Sequence, residues 1–135
     1  MATTTIQLTE AQKALLDEPL YAVVTDLMPD GSPHPTVIWV DHDGANLTFN
    51  TAHGRVKTRN MQRDPRVSVI VFDPANAFQK TLVVTGRAEL VDEGADDHID
   101  RLAKKYTGQD RYPWRRPEER RVTVRVIAEK ISGTV

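Results

Sequence analysis

The 135-residue chain contains no cysteine, which excludes disulfides, thiolate nucleophiles and cysteine-ligated metal centres. It has no apolar run of membrane-spanning length, and its first residues lack the basic and hydrophobic regions of a signal peptide. The net charge of −1 is not that of a globally basic nucleic-acid binder. We therefore expect one globular domain, residues 1–135, that is cytoplasmic and binds neither membranes nor nucleic acid.

Six short segments rich in apolar and β-branched residues are separated by turn signals, and they predict six strands. The predicted strands are residues 20–27, 35–41, 45–51, 67–72, 80–91 and 121–130. Helices are expected after a capping box at Thr9, over residues 55–63, and from Ala95 to a C-cap at Gly108. The pattern predicts a mainly β (α+β) fold, a six-stranded antiparallel split β-barrel with flanking helices.

The most informative segment is residues 51–66 (TAHGRVKTRNMQRDPR), which carries five Lys or Arg against one Asp. Gly54 frees the backbone at the strand exit, and Arg55, Lys57 and Thr58 fall on the first helical turn. Two cations, a hydroxyl and the unpaired N–H groups of a helix start are suited to bind a phosphate. A solvated helix face is the alternative interpretation, as for most charge runs.

A second arginine-rich segment, residues 111–125, has six arginines against two glutamates and includes Tyr112 and Trp114. Aromatic and Arg residues favour a lid or a subunit contact, while a solvated loop is the alternative. Single-stranded nucleic-acid surfaces also combine these residues, but the chain has no RNP or KH signature. Trp39 is more typical of a core or an interface than of ring stacking.

No catalytic motif is recognisable, so the catalytic residues remain unknown. The four histidines have no metal-ligand spacing, and no metal is expected. The chain has no G-x-S-x-G, Walker A or G-x-G-x-x-G motif. An enzyme without evident catalytic residues is typical of chemistry that a cofactor carries.

The strand order and the run R-x-K-T-R-N-x-x-R-D-P-R, which begins at Arg55, resemble the split β-barrel flavin-binding family typified by pyridoxamine 5′-phosphate oxidase. The resemblance is closer to the actinobacterial branch that uses the deazaflavin coenzyme F420. It implies a homodimer with cofactor sites between subunits. In this family pattern Arg55 and Lys57 hold the cofactor phosphate and Thr58 and Asn60 assist. The ring would face Thr36, Val37, Ile38, Asn50, Thr51 and Ala52, with the partner subunit contributing around Phe78.

The same resemblance implies a reaction class. Pyridoxamine phosphate oxidases end in an Arg-rich substrate-phosphate motif, whereas this chain ends in KISGTV, so vitamin B6 oxidation is not expected. The expected function is hydride transfer between reduced F420 and a small unsaturated or heteroaromatic acceptor. An FMN-dependent oxidoreductase of the same fold and a non-catalytic flavin or F420 carrier remain open.

Overall fold

The fold was analysed in a computed structural model, which describes residues 6–135. The elements are α1 (Glu10–Asp17), β1 (Tyr21–Leu27), β2 (Pro33–His42), β3 (Leu47–Ala52), α2 (Val56–Arg63), β4 (Arg66–Phe72), β5 (Thr81–Val91), α3 (Ala95–Thr107) and β6 (Arg121–Gly133). Each predicted strand and helix is present, with boundaries that differ by a few residues. The Thr9 capping box and the left-handed Gly108 C-cap are both confirmed.

The six strands form a closed antiparallel barrel in the order β1-β2-β3-β6-β5-β4, which confirms the predicted fold class. Side chains alternate between the interior and the outer surface, as the pleat of a strand requires. Each strand contributes a side chain of at most 1% exposure to the shared core: Val24, Val40, Phe49, Val69, Val84 and Val124. Strands β5 and β6 shift register beside Gly86, where an added Cβ would collide with the Ile127 carbonyl.

The helices cover the barrel with their apolar faces. Leu15 and Leu16 of α1 and Ile99 and Leu102 of α3 are buried. Within residues 6–135, no helix combines the length and apolar character that crossing a membrane requires.

The inward-facing row of β1 and β2 becomes polar toward one end of these strands. Val24 lies opposite Thr36, and Asp26 lies opposite His34. Helix α2 contacts β1, and its Asn60 donates to the Asp26 carboxylate. The β1–β2 pair thus joins an apolar core to a buried polar cluster beside α2.

Candidate functional site

A cavity of about 220 Å³ opens beside β2, with cationic and aromatic groups among its lining side chains. The cations are Arg55, Lys57 and Arg121, and the aromatic residues are Tyr21, Trp39, Tyr112 and Trp114. Val37, Ile38 and Asn50 also line it. The cavity therefore combines positive charge with surfaces suited to a planar ring.

The start of α2 supplies two of the cations. Gly54 has a φ of +89°, a left-handed conformation that favours glycine, and it turns the chain from β3 into α2. Arg55 is the N-cap residue, and no side chain caps the first-turn N–H groups. Burial lowers the pKa of Lys57, and the charge of Arg55 lowers it further. These two cations stand close together at a helix start, which favours an anionic ligand.

Arg121 is the third cation, and sequence analysis did not single it out from its segment. Its side chain is only 3% exposed, yet it lines the cavity. Its Nε donates to Asn50 Oδ1 at 2.8 Å, and its Nη1 donates to Glu119 Oε1 at 2.5 Å. The guanidinium carbon also lies 5.1 Å from the Tyr112 ring centroid. These contacts hold the guanidinium in one orientation before any ligand binds.

Glu119 links two of the cations. Its Oε1 accepts from Arg121 and also from Arg55 Nη2, the latter at 3.1 Å. Burial raises the pKa of Glu119, but hydrogen bonds from the Arg121 side chain and the Arg116 backbone outweigh it and leave the pKa lowered. Glu119 is therefore ionised near neutral pH. Three cations against this one carboxylate leave the cavity lining net positive.

The aromatic wall is built from β2, α3 and the loop that precedes β6. Trp39 stacks on Tyr106 with centroids 5.0 Å apart, and Tyr112 approaches Trp39 edge-on at 6.2 Å. Trp114 lies edge-on to Tyr112 at 5.6 Å. Asp100 of α3 ties this loop down, since it accepts from the Tyr112 backbone N–H at 2.9 Å and from Arg115 at 2.6 Å. Trp39 thus forms part of a cavity wall rather than of the barrel core.

Five of the predicted cofactor residues line this cavity: Val37, Ile38, Asn50, Arg55 and Lys57. The other predicted side chains lie elsewhere. Thr51, Ala52, Thr58 and Asn60 are buried. The Thr58 hydroxyl donates to the Ala52 carbonyl at 2.7 Å, and the Asn60 amide donates to Asp26 Oδ2 at 2.7 Å. In this chain both side chains bond to the protein itself, and their assistance at a phosphate stays a prediction.

Thr36 and Phe78 are the remaining predicted positions. Thr36 occupies an inward-facing position of β2, and its hydroxyl is buried. Phe78 lies in the connection between β4 and β5 and is 89% exposed, outside the cavity of its own chain. Neither residue lines the cavity, and their predicted roles at the cofactor stay predictions.

The arginines of residues 111–125 do not form a single basic surface. Arg115 pairs with Asp96 and Asp100 of α3, whereas Arg125 pairs with Asp43 at 2.8 Å and Glu89 at 2.7 Å. Arg116 is exposed and lines a second depression of about 570 Å³ that shares Arg55, Tyr112 and Trp114 with the cavity. Only part of this segment therefore faces the candidate site.

Two histidine environments were not anticipated. Ligand atoms of Asp17, Asp41 and His42 lie within 4.8 Å of one another. His42 Nε2 donates to Asp17 Oδ1 at 2.7 Å and its Nδ1 accepts from the Gly44 N–H at 3.1 Å, so both ring nitrogens are engaged.

His98 of α3 is buried, and burial lowers its pKa to about 4. A neutral His98 accepts from the Asn50 amide at 3.2 Å and so supports the cavity lining.

Comparison with known proteins links this geometry to a family. A family model described as pyridoxamine 5′-phosphate oxidase matches residues 8–134. A solved structure named F420 reductase is 30% identical, with a TM-score of 0.77, and the match covers 93% of this chain and 98% of that one. A conserved hypothetical protein from Mycobacterium tuberculosis is 25% identical, with a TM-score of 0.70 and coverage of 97% and 87%.

Curated relatives match over a shorter region. A pyridoxine/pyridoxamine 5′-phosphate oxidase from Thermobifida fusca is 33% identical over 90 residues, 66% of this chain and 40% of that enzyme. The enzyme of the same name from Escherichia fergusonii is 30% identical over 83 residues, 61% of this chain and 37% of that enzyme. The chain thus covers less than half the length of these relatives.

Proposed function

The chain belongs to the pyridoxamine 5′-phosphate oxidase family, and we propose that it is an F420-dependent oxidoreductase. The proposed reaction transfers a hydride between reduced F420 and a small unsaturated or heteroaromatic acceptor. Similarity to an F420 reductase over nearly the full length of both chains supports this cofactor. When bound, F420 supplies the hydride chemistry, and the protein supplies binding, orientation and charge.

The observation that carries the proposal is the meeting of Arg55 and Lys57 with the uncapped start of α2 in one cavity. A phosphate diester or monoester gains charge-assisted hydrogen bonds from such a donor set. Arg121 adds a buried guanidinium that Glu119 only partly neutralises, because Glu119 also pairs with Arg55. The donors present fit an anionic cofactor.

The neighbouring surfaces fit a planar ring. Val37 and Ile38 offer an apolar strand edge, and Trp39, Tyr112 and Trp114 offer aromatic faces. Asn50 is held by Arg121 and by the Ala95 carbonyl, to which it donates at 2.9 Å. The orientation of the Asn50 side chain is therefore set before binding, as is required of a residue that orients a ring.

We also propose a homodimer with cofactor sites between subunits. The cavity is open along Val37 and Trp114, which are 66% and 58% exposed. The strand registers align Val37 with Val23, and Val23 with Ile70, across the outer face of β2, β1 and β4. Exposed Tyr21, Phe72 and Phe78 extend this apolar surface. A contiguous apolar surface of this kind is typical of a subunit interface.

Substitution of one interface residue tests the dimer. Ile70 and Ile127 are both 39% exposed, but Ile127 lies on β6, across the barrel from β1. Ile70→Asp should yield monomers in sedimentation velocity at micromolar concentration and should weaken cofactor binding. Ile127→Asp is the matched control and should remain dimeric. A wild-type protein that is monomeric with tightly bound cofactor would contradict the shared site.

FMN is the second candidate cofactor, because the curated relatives are named pyridoxine/pyridoxamine 5′-phosphate oxidase and not F420 reductase. FMN ends at its phosphate, whereas F420 continues into a lactyl-oligoglutamate tail. The depression lined by Arg55 and Arg116 would receive such a tail, although Glu118 and Glu119 also line it. A carrier without catalytic activity is the third candidate.

The deciding experiment is mass spectrometry and absorbance spectroscopy of any co-purified cofactor, followed by titration with F420 and with FMN. We expect tighter binding of F420 and oxidation of reduced F420 by conjugated acceptors. Binding of FMN alone would replace the proposal with the FMN enzyme. Tight F420 binding without oxidation by any acceptor in a panel of enones and nitro-heteroaromatics would support the carrier. Binding of neither cofactor would refute the proposal.

A further inference from the structure

Asp26 is a fully buried carboxylate near the end of β1. Its Oδ2 accepts hydrogen bonds from Asn60 Nδ2 at 2.7 Å and from His34 Nδ1 at 3.1 Å. Its Oδ1 is also buried and accepts no hydrogen bond within residues 6–135. A buried carboxylate is unfavourable unless donors and a nearby cation compensate it. The burial of this carboxylate therefore has to be offset by its donors and by a nearby positive charge.

The hydrogen bonds of Asp26 fix the position of α2. Asn60 projects from the middle of α2, and its Oδ1 accepts from Arg63 Nη1 at 3.1 Å. Arg63 also donates to the Leu27 carbonyl at the end of β1. Two turns of α2 are thereby attached to consecutive residues of one strand. Lys57 precedes Asn60 by three residues and shares its helix face, so this attachment also positions Lys57.

The charge of Asp26 acts on Lys57 as well. Burial is the largest cause of the lowered pKa of Lys57, and Arg55 adds to the lowering. Asp26 opposes both effects, while Arg121 on β6 adds a smaller lowering. His34 contacts the Asp26 carboxylate, and Glu119 lies between Arg55 and Arg121. Asp26 thus favours the ammonium form of Lys57 against the burial and the neighbouring cations that lower its pKa.

We propose that Asp26 is a positioning residue of the phosphate site. It holds α2 in place through Asn60 and keeps the Lys57 side chain in its ammonium form beside the ligand. The inference rests on the proposed function, because it assumes that Lys57 binds the cofactor phosphate. It assigns a role to a buried group that does not itself line the cavity.

The test measures FMN affinity of the intact protein between roughly pH 7 and pH 10.5, the range below and around the ordinary lysine pKa. Asp26→Asn keeps the shape and an oxygen acceptor but removes the charge. We expect weaker FMN binding by about threefold to tenfold near neutrality, with the alkaline loss of affinity shifted to lower pH. Glu10→Gln is the control, since exposed Glu10 pairs only with Lys13 within the described chain. It should leave affinity and pH profile unchanged.

Lys57→Arg separates the charge effect from a structural one. A guanidinium does not titrate in this range, so this variant reports the titration of the ligand and of all other groups. In the Lys57→Arg background, Asp26→Asn should no longer shift the pH profile. A persistent shift would assign it to another group and overturn the proposal.

The remaining outcomes are also decisive. If Asp26→Asn has the wild-type affinity and pH profile while Lys57→Ala loses affinity, the inference fails and the phosphate site stands. If Lys57→Ala keeps its affinity, the proposed function fails.

If thermal unfolding shows that Asp26→Asn is not folded, Asn60→Ala replaces it, since this variant keeps the charge of Asp26 and removes the attachment of α2. Asn60→Ala should lower FMN affinity several-fold with an unchanged alkaline midpoint, and unchanged affinity would overturn the proposal.

Discussion

Two arginine-rich segments, residues 55–66 and 111–125, have similar compositions but different environments. In the first, Lys57 and Arg55 line one cavity at the start of a helix. In the second, Arg121 lines the same cavity, whereas Arg115 and Arg125 pair with carboxylates in two other places. The number of arginines in a segment therefore does not determine how much positive charge lines the cavity. The pairing of each side chain does.

Arg121 and Arg125 provide the strongest test of this difference, because both lie on β6. The Arg121 side chain is 3% exposed and that of Arg125 is 36% exposed. Arg121→Ala should lower the free energy of unfolding by about 3 kcal/mol, since it leaves Asn50 Oδ1 without its guanidinium donor and Glu119 with only the half-exposed Arg55. Arg125→Ala should lower it by less than about 1 kcal/mol, as is usual for exposed ion pairs. Urea denaturation measures both, and equal losses would contradict the comparison.

His98 extends this difference to pH, because burial lowers its pKa and the charges of Arg101 and Arg121 lower it further. Burial is the main cause of the lowered value of about 4, against an ordinary value of 6.5. Between these values the unfolded chain binds a proton that the folded chain excludes, so stability falls as pH falls from about 6.5 to about 4. This group should contribute a loss of about 3 kcal/mol.

The pH dependence can be isolated by substitution. Urea denaturation of wild type and His98→Gln at both ends of this pH range gives the contribution of His98 as the difference between their slopes. A His98→Gln protein with the same pH dependence as wild type would show that other groups cause the loss.

In the first segment, Lys57 and Arg59 form a matched pair on one helix. Arg59 is exposed and does not line the cavity, whereas Lys57 is half-buried and does. Lys57→Ala should weaken FMN and F420 binding by about 1.5–3 kcal/mol, the scale of a charge-assisted hydrogen bond. Arg59→Ala should leave both affinities nearly unchanged. Isothermal titration calorimetry measures these affinities. Unchanged affinities in Lys57→Ala would show that Lys57 does not bind the cofactor phosphate.

The smallest expected effect distinguishes Arg116 from Arg115 in the second segment. Arg116 is exposed beside the depression proposed for the F420 tail, while Arg115 is paired with α3. Arg116→Ala should weaken F420 by about 1 kcal/mol and leave FMN unchanged, with a larger difference at low salt. Arg115→Ala should act on both cofactors equally, through the Tyr112 and Trp114 loop. Equal losses of F420 and FMN affinity in Arg116→Ala would show that Arg116 acts at the phosphate or on the fold and not on the F420 tail.

Much of the fold was predictable because its signals are local. Alternating apolar residues, the capping box at Thr9 and the glycines at positions 54 and 108 act on neighbouring residues, and the structure contains the elements they predict. Arg55 and Lys57 were predictable for the same reason, since both belong to one helical turn. Phe78 is exposed and lies outside the cavity of its own chain, and its contribution to a partner subunit stays a prediction.

The roles of Thr58, Asn60 and Arg121 were not predictable in this way. Thr58 and Asn60 carry polar side chains within the basic motif, but their partners Ala52 and Asp26 lie on β3 and β1. Arg121 resembles its neighbouring arginines in sequence, and only the pairing of β6 with β3 places it against Asn50.

The sequence alone predicted the order of the strands and helices, the barrel class and a cationic helix start at Arg55 and Lys57. These follow from periodicity, turn chemistry and capping, which depend on residues a few positions apart. The tertiary structure was needed to show which polar groups line the cavity and which face the core. Closing the barrel brings β6 beside β3, and α2 packs against β1. Burial then requires a partner for each polar group that is removed from water.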